Sequence, residues 1–208
     1  MLDLSGVKNI IFDLGAVVLN IDYTLTIKAF QDLGAGSFDE VYGQFKQSGL
    51  FDDLETGRIE PEVFRDRVRE EFKLELSDDQ IDRAWNALLL DLPKERIDLL
   101  RRLGKTYRLF LLSNTNAIHY KQYCLNLMEE HGIPNLDPLF EKVYLSHEIH
   151  ARKPSMGAYQ FVVDDALIVP EESIFIDDIE KNALAAEQLG IRGIWLRGEL
   201  LDLFEKAK

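Results

Sequence analysis

The chain has 208 residues, 46% of them hydrophobic and 29% charged, which is enough for one sizeable hydrophobic core and a smaller inserted one. Its 37 acidic and 24 basic residues give a formal net charge of -13, which repels the backbone of nucleic acid and argues against that partner. Cys124 is the only cysteine, and no apolar run approaches the ~18 residues needed to span a bilayer. We therefore expect a cytoplasmic protein with neither disulfides nor membrane segments.

The first predicted element is a buried strand from Val7 to Phe12, an apolar and β-branched run that stops at polar and glycine residues. From about Asp22 to Leu92 strand patterns vanish, and apolar residues recur at helical spacing. We interpret residues 21–92 as an inserted helical cap domain, which leaves residues 1–20 and 93–208 to form the α/β core domain. An insertion at this point is a candidate cover for the carboxyl ends of the strands.

Beyond the insertion, strand and helix patterns alternate. Apolar runs predict strands over Tyr107 to Leu112, Val143 to Leu145, Ser173 to Ile176 and Gly193 to Leu196. Helical patterns lie between them, over Asn116 to Glu130, Ser155 to Asp165 and Glu180 to Leu189. The alternation predicts an α/β fold, a Rossmann-like doubly wound parallel sheet whose ligands bind beyond the carboxyl ends of the strands.

Polar clusters follow four of the predicted strands, at the edge of the sheet where ligands are expected. They are Asp13, Ser113 with Asn114, Lys153, and Asp177 with Asp178. Taken alone, each has an ordinary explanation, because residues after a strand often cap the next helix or lie in a solvated loop. Together they supply a nucleophile, hydrogen-bond donors, an ammonium group and a pair of carboxylates.

Hydrolysis of a phosphate ester by a carboxylate needs all of these groups. The nucleophile and the phosphate repel each other, by about 4 kcal/mol per pair of unit charges at roughly 4 Å and an effective dielectric near 20. A divalent cation and a fixed ammonium group remove that cost and stabilise the transferring phosphoryl oxygens. We therefore predict that Asp177 and Asp178 hold Mg²⁺ and that Lys153 supplies the ammonium. Ser113 and Asn114 are predicted to bind the phosphoryl oxygens where the next helix begins.

The same clusters resemble the four motifs of the haloacid dehalogenase-like hydrolase superfamily, and their order and spacing fit over nearly the whole chain. The matching segments are Phe12 to Val17, Leu112 to Asn114, Arg152 to Pro154 and Phe175 to Asp178. The resemblance implies that Asp13 attacks phosphorus to form an aspartyl-phosphate, which water then hydrolyses, with Lys153 as the second catalytic residue.

The resemblance also implies a metal site and a substrate class. Magnesium would bind Asp13, the carbonyl of Gly15 and Asp178, with Asp177 nearby and Asn182 orienting the loop. The expected enzyme is a Mg²⁺-dependent phosphatase, a monomer or weak homodimer that hydrolyses small phosphorylated metabolites. Sugar phosphates such as a hexose 1-phosphate are the favoured substrates.

One position departs from the superfamily pattern. Its phosphatases usually carry a second aspartate two residues after the nucleophile as general acid and base, and this chain has Gly15 there. General acid–base catalysis is typically worth about 10²–10⁴-fold, so its loss should slow the enzyme or favour substrates with better leaving groups. Asp22 is a candidate substitute, although an aspartate at that position also fits a helix N-cap.

The glycine at this position leaves other activities open. Phosphonatases of the superfamily lack the second aspartate and use a cap lysine, for which Lys28, Lys46 and Lys73 are available. Haloacid dehalogenases lack it too, but they need no metal. A non-catalytic, regulatory protein that binds phosphate is the alternative from a different class.

Substrate specificity is expected to come from the cap. Phe51, Glu55 and Arg58 flank a predicted turn, at which one helix ends near Gly57 and the next begins near Pro61. These three side chains could reach the non-phosphate end of a substrate, although Phe51 fits the core of the cap better.

Overall fold

A five-stranded parallel sheet forms the core of the protein, whose computed structural model describes residues 2–36 and 49–204. The strands are β1 (Asn9–Phe12), β2 (Arg108–Ser113), β3 (Lys142–Leu145), β4 (Ser173–Asp177) and β5 (Arg192–Trp195). Their order in the sheet is β3-β2-β1-β4-β5, and every pairing is parallel. The predicted α/β parallel sheet is therefore confirmed, with each strand displaced by no more than two residues at either end.

The first strand lies in the middle of the sheet. Phe12, its last residue, pairs with Leu111 of β2 on one side and with Ile176 of β4 on the other. All four residues of β1 are buried, because neighbouring strands and layers of helices enclose it. The residue that follows, Asp13, consequently emerges at the centre of the carboxyl edge.

In the part of the chain that the structure describes, helices occupy the connections between strands, and a last helix follows β5. Before β2 they are α1 (Tyr23–Asp32), α2 (Leu50–Glu55), α3 (Pro61–Phe72), α4 (Asp78–Asn86) and α5 (Lys94–Leu103). After β2 they are α6 (Ala117–His131), α7 (Ser146–Ile149), α8 (Met156–Ala166), α9 (Glu180–Glu187) and α10 (Leu200–Phe204). Within the described ranges, no helix is both long enough and apolar enough to cross a membrane.

Hydrophobic side chains cover both faces of the sheet. Because successive strand residues point to opposite faces, Phe12 packs in one cluster with Ile97 of α5, and Ile11 packs in another with Tyr159 of α8. Two separate layers of helix therefore bury the sheet, which is the doubly wound arrangement that the alternating pattern predicts.

Helices α1–α4, called here the helical cluster, have a hydrophobic core of their own. Its buried members include Phe30, Leu54, Phe64, Val68 and Trp85. Helix α6 of the sheet layer docks on this core, since Ile118 belongs to it and the ring of His119 stacks on Trp85 with centroids 5.0 Å apart. The helical cluster thus packs against the carboxyl edge of the sheet through α6.

The turn between α2 and α3 is held against the sheet layer. His150 Nδ1 donates a hydrogen bond to the carbonyl of Thr56, 2.9 Å away. Gly57 follows with φ +62°, and a Cβ atom there would meet the carbonyl carbon of His147 at 3.2 Å. Both the backbone conformation and the close approach require glycine, as the predicted helix end at this residue implies.

A glycine in the last strand gives a test of packing. Gly193 of β5 faces the backbone of α9, and an added Cβ would meet the carbonyl carbon of Ala183 at 2.7 Å. Because that neighbour is backbone and cannot rotate away, we expect Gly193→Ala to lower the free energy of unfolding by about 1–3 kcal/mol in urea titrations.

The matched control is Gly157→Ala in the first turn of α8, where the nearest heavy atom, Ser155 Oγ, is 3.8 Å from the added Cβ. That change should be neutral or stabilise the fold by up to about 1 kcal/mol through helix propensity. Equal unfolding free energies for Gly193→Ala and the unmodified chain would contradict the close packing of β5 on α9.

Candidate active site

The predicted site residues meet at the carboxyl edge of the sheet, around a cavity of about 200 Å³. Those that line it are Asp13, Gly15, Ser113, Asn114, Lys153, Asp178 and Asn182. Asp177, the last residue of β4, is fully buried beside them. The strand register explains the meeting of Asp13, Ser113 and Asp177, because β2 and β4 flank β1 in parallel and end within two residues of its end.

A buried lysine joins two of the carboxylates. Lys153 Nζ lies 2.5 Å from Asp13 Oδ1 and 2.7 Å from Asp177 Oδ2, and the lysine is only 2% exposed. Burial alone would lower the pKa of Lys153, but the two carboxylates raise it above its ordinary value. Lys153 is therefore a permanent cation, and we call these three residues the ion triad.

The amide of Asn114 and the hydroxyl of Ser146 hold the backbone of the loops around the ion triad. Asn114 Nδ2 donates to the carbonyl of Lys153 and Asn114 Oδ1 accepts from its N–H, both at 2.9 Å. Ser146 Oγ accepts from the N–H of Thr115 and donates to its carbonyl, also at 2.9 Å. The Asn114 side chain therefore fixes the lysine backbone, a role beyond the phosphate binding predicted for it.

Three carboxylates crowd together at the edge of the sheet. Oxygen atoms of Asp13, Asp177 and Asp178 lie within 4.8 Å of one another. Burial raises the pKa of Asp13 to about 7, against the opposing charge of Lys153, and burial also raises the pKa of Asp178. Oxygen ligands of this kind suit Mg²⁺, and a divalent cation would stabilise their charged forms. The donor set therefore fits magnesium.

The remaining predicted residue of the metal site, Asn182, contacts Asp177. Asn182 Nδ2 donates to both carboxylate oxygens, at 3.0 and 3.1 Å, and the N–H of Ile179 donates to Oδ1 at 2.8 Å. The carbonyl of Asp178 accepts from Trp195 Nε1 at 3.0 Å. The loop after β4 is thus held by bonds from three directions.

The helical cluster supplies a wall of the cavity that is mostly apolar. The lining residues from it include Phe30, Phe51, Glu55, Phe64 and Trp85. Phe51 stacks on Trp85 with centroids 5.0 Å apart, so it packs in the cluster and faces the cavity. The wall is assembled from separate helices, and the sequence offers no local signal for it beyond Phe51 and Glu55.

Two other candidates from the sequence have structural partners. Arg58 lies outside the cavity lining, with Nε 3.3 Å from Asp53 Oδ1 and 2.8 Å from Thr56 Oγ1. Asp22 caps α1 by accepting from the N–H of Thr24 at 2.9 Å, which confirms the prediction that this aspartate fits a helix N-cap. Neither residue is placed to contact a substrate in the cavity.

Comparison with known proteins identifies related phosphatases. No family model matches the chain. The chain is 30% identical to D-ribitol-5-phosphate phosphatase of Bacteroides thetaiotaomicron over 184 residues, which cover 88% of this chain and 89% of the relative. It is also 27% identical to a sesquiterpene phosphatase of Aspergillus oryzae over 203 residues, which cover 95% and 94% of the two chains.

Solved structures agree. A HAD family enzyme of Bacteroides thetaiotaomicron superposes with a TM-score of 0.90 at 39% identity, covering 97% of this chain and 100% of that one. The wild-type form of that enzyme in complex with magnesium and inorganic phosphate superposes with a TM-score of 0.88 at 38% identity, covering 96% and 100%.

The contact between Asn182 and Asp177 predicts an effect on metal binding. Outer groups that orient metal-site carboxylates typically contribute about 10–100-fold to affinity. We expect Asn182→Ala to weaken Mg²⁺ binding by that factor in isothermal titration calorimetry, because Asp177 loses a donor to both oxygens. Asn126→Ala, on α6, is the control and should bind as the unmodified chain does. Unchanged affinity in Asn182→Ala would count against this orienting role.

Proposed function

We propose that this chain, which belongs to the haloacid dehalogenase-like hydrolase superfamily, releases phosphate from small phosphorylated sugars and polyols through an aspartyl-phosphate on Asp13. Its membership in this superfamily confirms the resemblance seen in the sequence. The protein is a hydrolase of phosphate monoesters, with Mg²⁺ as its cofactor. The observation that carries the finer proposal is the ion triad at the cavity, with Asp13 held 2.5 Å from a buried ammonium group.

The side chains of the site have separate tasks in this reaction. An Asp13 oxygen attacks phosphorus as the bond to the leaving oxygen breaks, and water then displaces Asp13 from phosphorus. Lys153 offsets the repulsion between Asp13 and the incoming phosphate. Ser113 and the N–H groups at the start of α6 donate to the phosphoryl oxygens. Asp13, Asp178 and the Gly15 carbonyl, with Asp177 beside them, would hold Mg²⁺, which would supply further positive charge to those oxygens.

The substrate's other end lies against the helical cluster. We assign residues 21–92 to a cap domain and residues 1–20 and 93–208 to the core domain. The separate hydrophobic core of α1–α4 supports this division. A cavity of about 200 Å³ between the two suits a small metabolite. The relative that acts on D-ribitol 5-phosphate supports polyol and sugar phosphates, among which we include a hexose 1-phosphate.

Other branches of the superfamily have less support. A phosphonatase needs a lysine that reaches the substrate from the cap. Within the described ranges no lysine of the helical cluster lines the cavity, Lys28 and Lys73 included, and Lys46 lies outside the described residues. A dehalogenase has no use for the carboxylate group that fits magnesium. Two of the curated relatives are phosphatases, which also argues against a regulatory protein without turnover.

The apolar wall favours a second substrate class, the monophosphate of an apolar alcohol. Phe51, Phe64 and Trp85 face the cavity and would exclude water from a hydrocarbon chain. The sesquiterpene phosphatase relative supports this class in the same way as the ribitol phosphate relative supports the first. Sugars also stack on aromatic rings, so the wall is compatible with both.

Phosphate release from a substrate panel tests the proposal. The panel contains hexose 1-phosphates, ribitol 5-phosphate and an isoprenyl monophosphate, each with and without Mg²⁺. We expect Mg²⁺-dependent release, favouring the sugar and polyol phosphates. Asp13→Asn should lower kcat by more than about 10⁴-fold, the order seen when other enzymes lose their nucleophile.

The exposed Asp202 of α10 provides the control, since Asp202→Asn should leave kcat unchanged. Equal rates for Asp13→Asn and the unmodified chain would refute the nucleophile. A preference for the isoprenyl monophosphate would replace the sugar and polyol class with the apolar one.

A further inference from the structure

The absence of a carboxyl group two residues after the nucleophile leaves a proton donor to be found. Gly15 cannot supply it, and an added Cβ there would meet Ile21 Cδ1 at 2.9 Å. A sugar or alkyl alkoxide is a poor leaving group, so a side chain must deliver a proton to its oxygen for fast hydrolysis. That side chain must line the cavity and titrate near neutral pH.

Most titratable residues of the described lining do not meet these conditions. Asp13, Asp178 and Lys153 belong to the charge cluster that holds the phosphate and metal. Burial lowers the pKa of His119 to about 3, so its ring is neutral and donates to Asn86 Oδ1 at 2.7 Å. Burial raises the pKa of Tyr123 well above its ordinary value, which makes it a weak proton donor. Glu55 remains.

Glu55 is placed at the boundary between the helical cluster and the site. It is the last residue of α2 and lines the same cavity as Asp13 and Lys153. Its side chain keeps 21% of its surface exposed, while the atom Oε2 is enclosed. Within the described residues Oε2 accepts no hydrogen bond, although Arg152 Nη2 lies 3.1 Å away. Glu55 Oε2 is therefore enclosed, and no described residue donates a hydrogen bond to it.

The core holds Glu55 next to the loop that carries the buried lysine. Arg152 immediately precedes Lys153 and forms ion pairs with both Asp52 and Glu55 of α2. The turn that follows is anchored as well, by the hydrogen bond from His150 to Thr56 and the close approach of Gly57. The position of the Glu55 carboxyl is thus set relative to the ion triad.

The groups around the Glu55 carboxyl have opposing effects on its pKa. Burial raises the pKa of Glu55 to about 7, against the opposing charge of Lys153. The Arg152 guanidinium also favours the carboxylate, and it shares its charge with Asp52 of the same helix. His147 of α7 and His150, which follows that helix, are the other titratable groups at this contact. Both protonation states are populated near neutrality, as general acid–base catalysis requires.

Resting on the phosphatase reaction proposed above, we infer that Glu55 is the catalytic residue that transfers protons in place of the carboxyl group absent at Gly15. As the Asp13 oxygen bonds to phosphorus, the bond to the leaving oxygen breaks, its electron pair stays on that oxygen, and the Glu55 carboxyl protonates it. Water then attacks phosphorus and gives a proton to the Glu55 carboxylate. The bond between phosphorus and Asp13 breaks, its electron pair returns to the carboxylate, and phosphate leaves with Glu55 protonated again.

Leaving-group dependence tests this role. p-Nitrophenolate leaves without a proton, whereas a sugar or polyol alkoxide does not. In rapid-mixing experiments with Mg²⁺, Glu55→Gln should lower the rate of alcohol release from ribitol 5-phosphate or a hexose 1-phosphate by about 10²–10⁴-fold. The first burst of p-nitrophenolate from p-nitrophenyl phosphate should keep its rate within about threefold. Its later steady-state rate should fall, because the water that attacks Asp13-bound phosphate also needs a base.

Two further variants make the result decisive. Glu60→Gln changes an exposed glutamate nearby and should leave the release rates from both substrates unchanged. Glu55→Asp keeps a carboxyl group one methylene shorter and should restore part of the lost rate; folding of each variant is checked by circular dichroism. An equal loss in the first-turnover rate of alcohol and p-nitrophenolate release, or no loss on the sugar or polyol phosphate, would overturn the role of Glu55. Failure of the unmodified chain on every phosphate would instead overturn the phosphatase reaction, and the role of Glu55 with it.

Discussion

Enclosing an ammonium group in protein is the constraint on which the site depends. Lys153 is almost fully buried, and an unpaired buried charge is too costly to tolerate. Asp13, which follows β1, and Asp177, the last residue of β4, neutralise it, so both strands and the loop of Lys153 must bring these groups to one point of the edge. Removing one partner of such a group typically costs about 3–5 kcal/mol. The charges that serve phosphoryl transfer are therefore also charges that the fold requires.

Much of this arrangement can be predicted from the sequence, because the signals are local. Each strand is an apolar run with a polar cluster directly after it, and parallel strands place those clusters on one edge. The helix ends at Asn116 and Gly57 are equally local, since one is a capping residue and the other a glycine with positive φ. The meeting of Asp13, Lys153 and Asp177 at one edge follows from such signals together with the superfamily resemblance.

Other features cannot be predicted, because they depend on contacts between residues distant in the chain. Nothing around Asn114 indicates that its amide will bond both backbone groups of Lys153, 39 residues away. The cavity wall is similar. Trp85 contacts Phe51, Phe64 and His119 with ring centroids 5.0 Å apart in each case, and these rings come from three other helices. Aromatic pairs of this kind add about 0.5–1.5 kcal/mol each beyond burial, so Trp85 helps to join the helical cluster to the sheet layer.

The adjacent residues Arg152 and Lys153 link helix α2 to the nucleophile. Lys153 faces the nucleophile, whereas Arg152 reaches out to Asp52 and Glu55 on α2. Two adjacent residues therefore carry the counter-charge of Asp13 and the ion pairs that bind α2. Any opening of that cluster far enough to admit a substrate from the α2 side breaks an ion pair one peptide unit from the nucleophile's partner. Entry of a substrate on that side would therefore disturb the backbone next to Lys153, the counter-charge of Asp13.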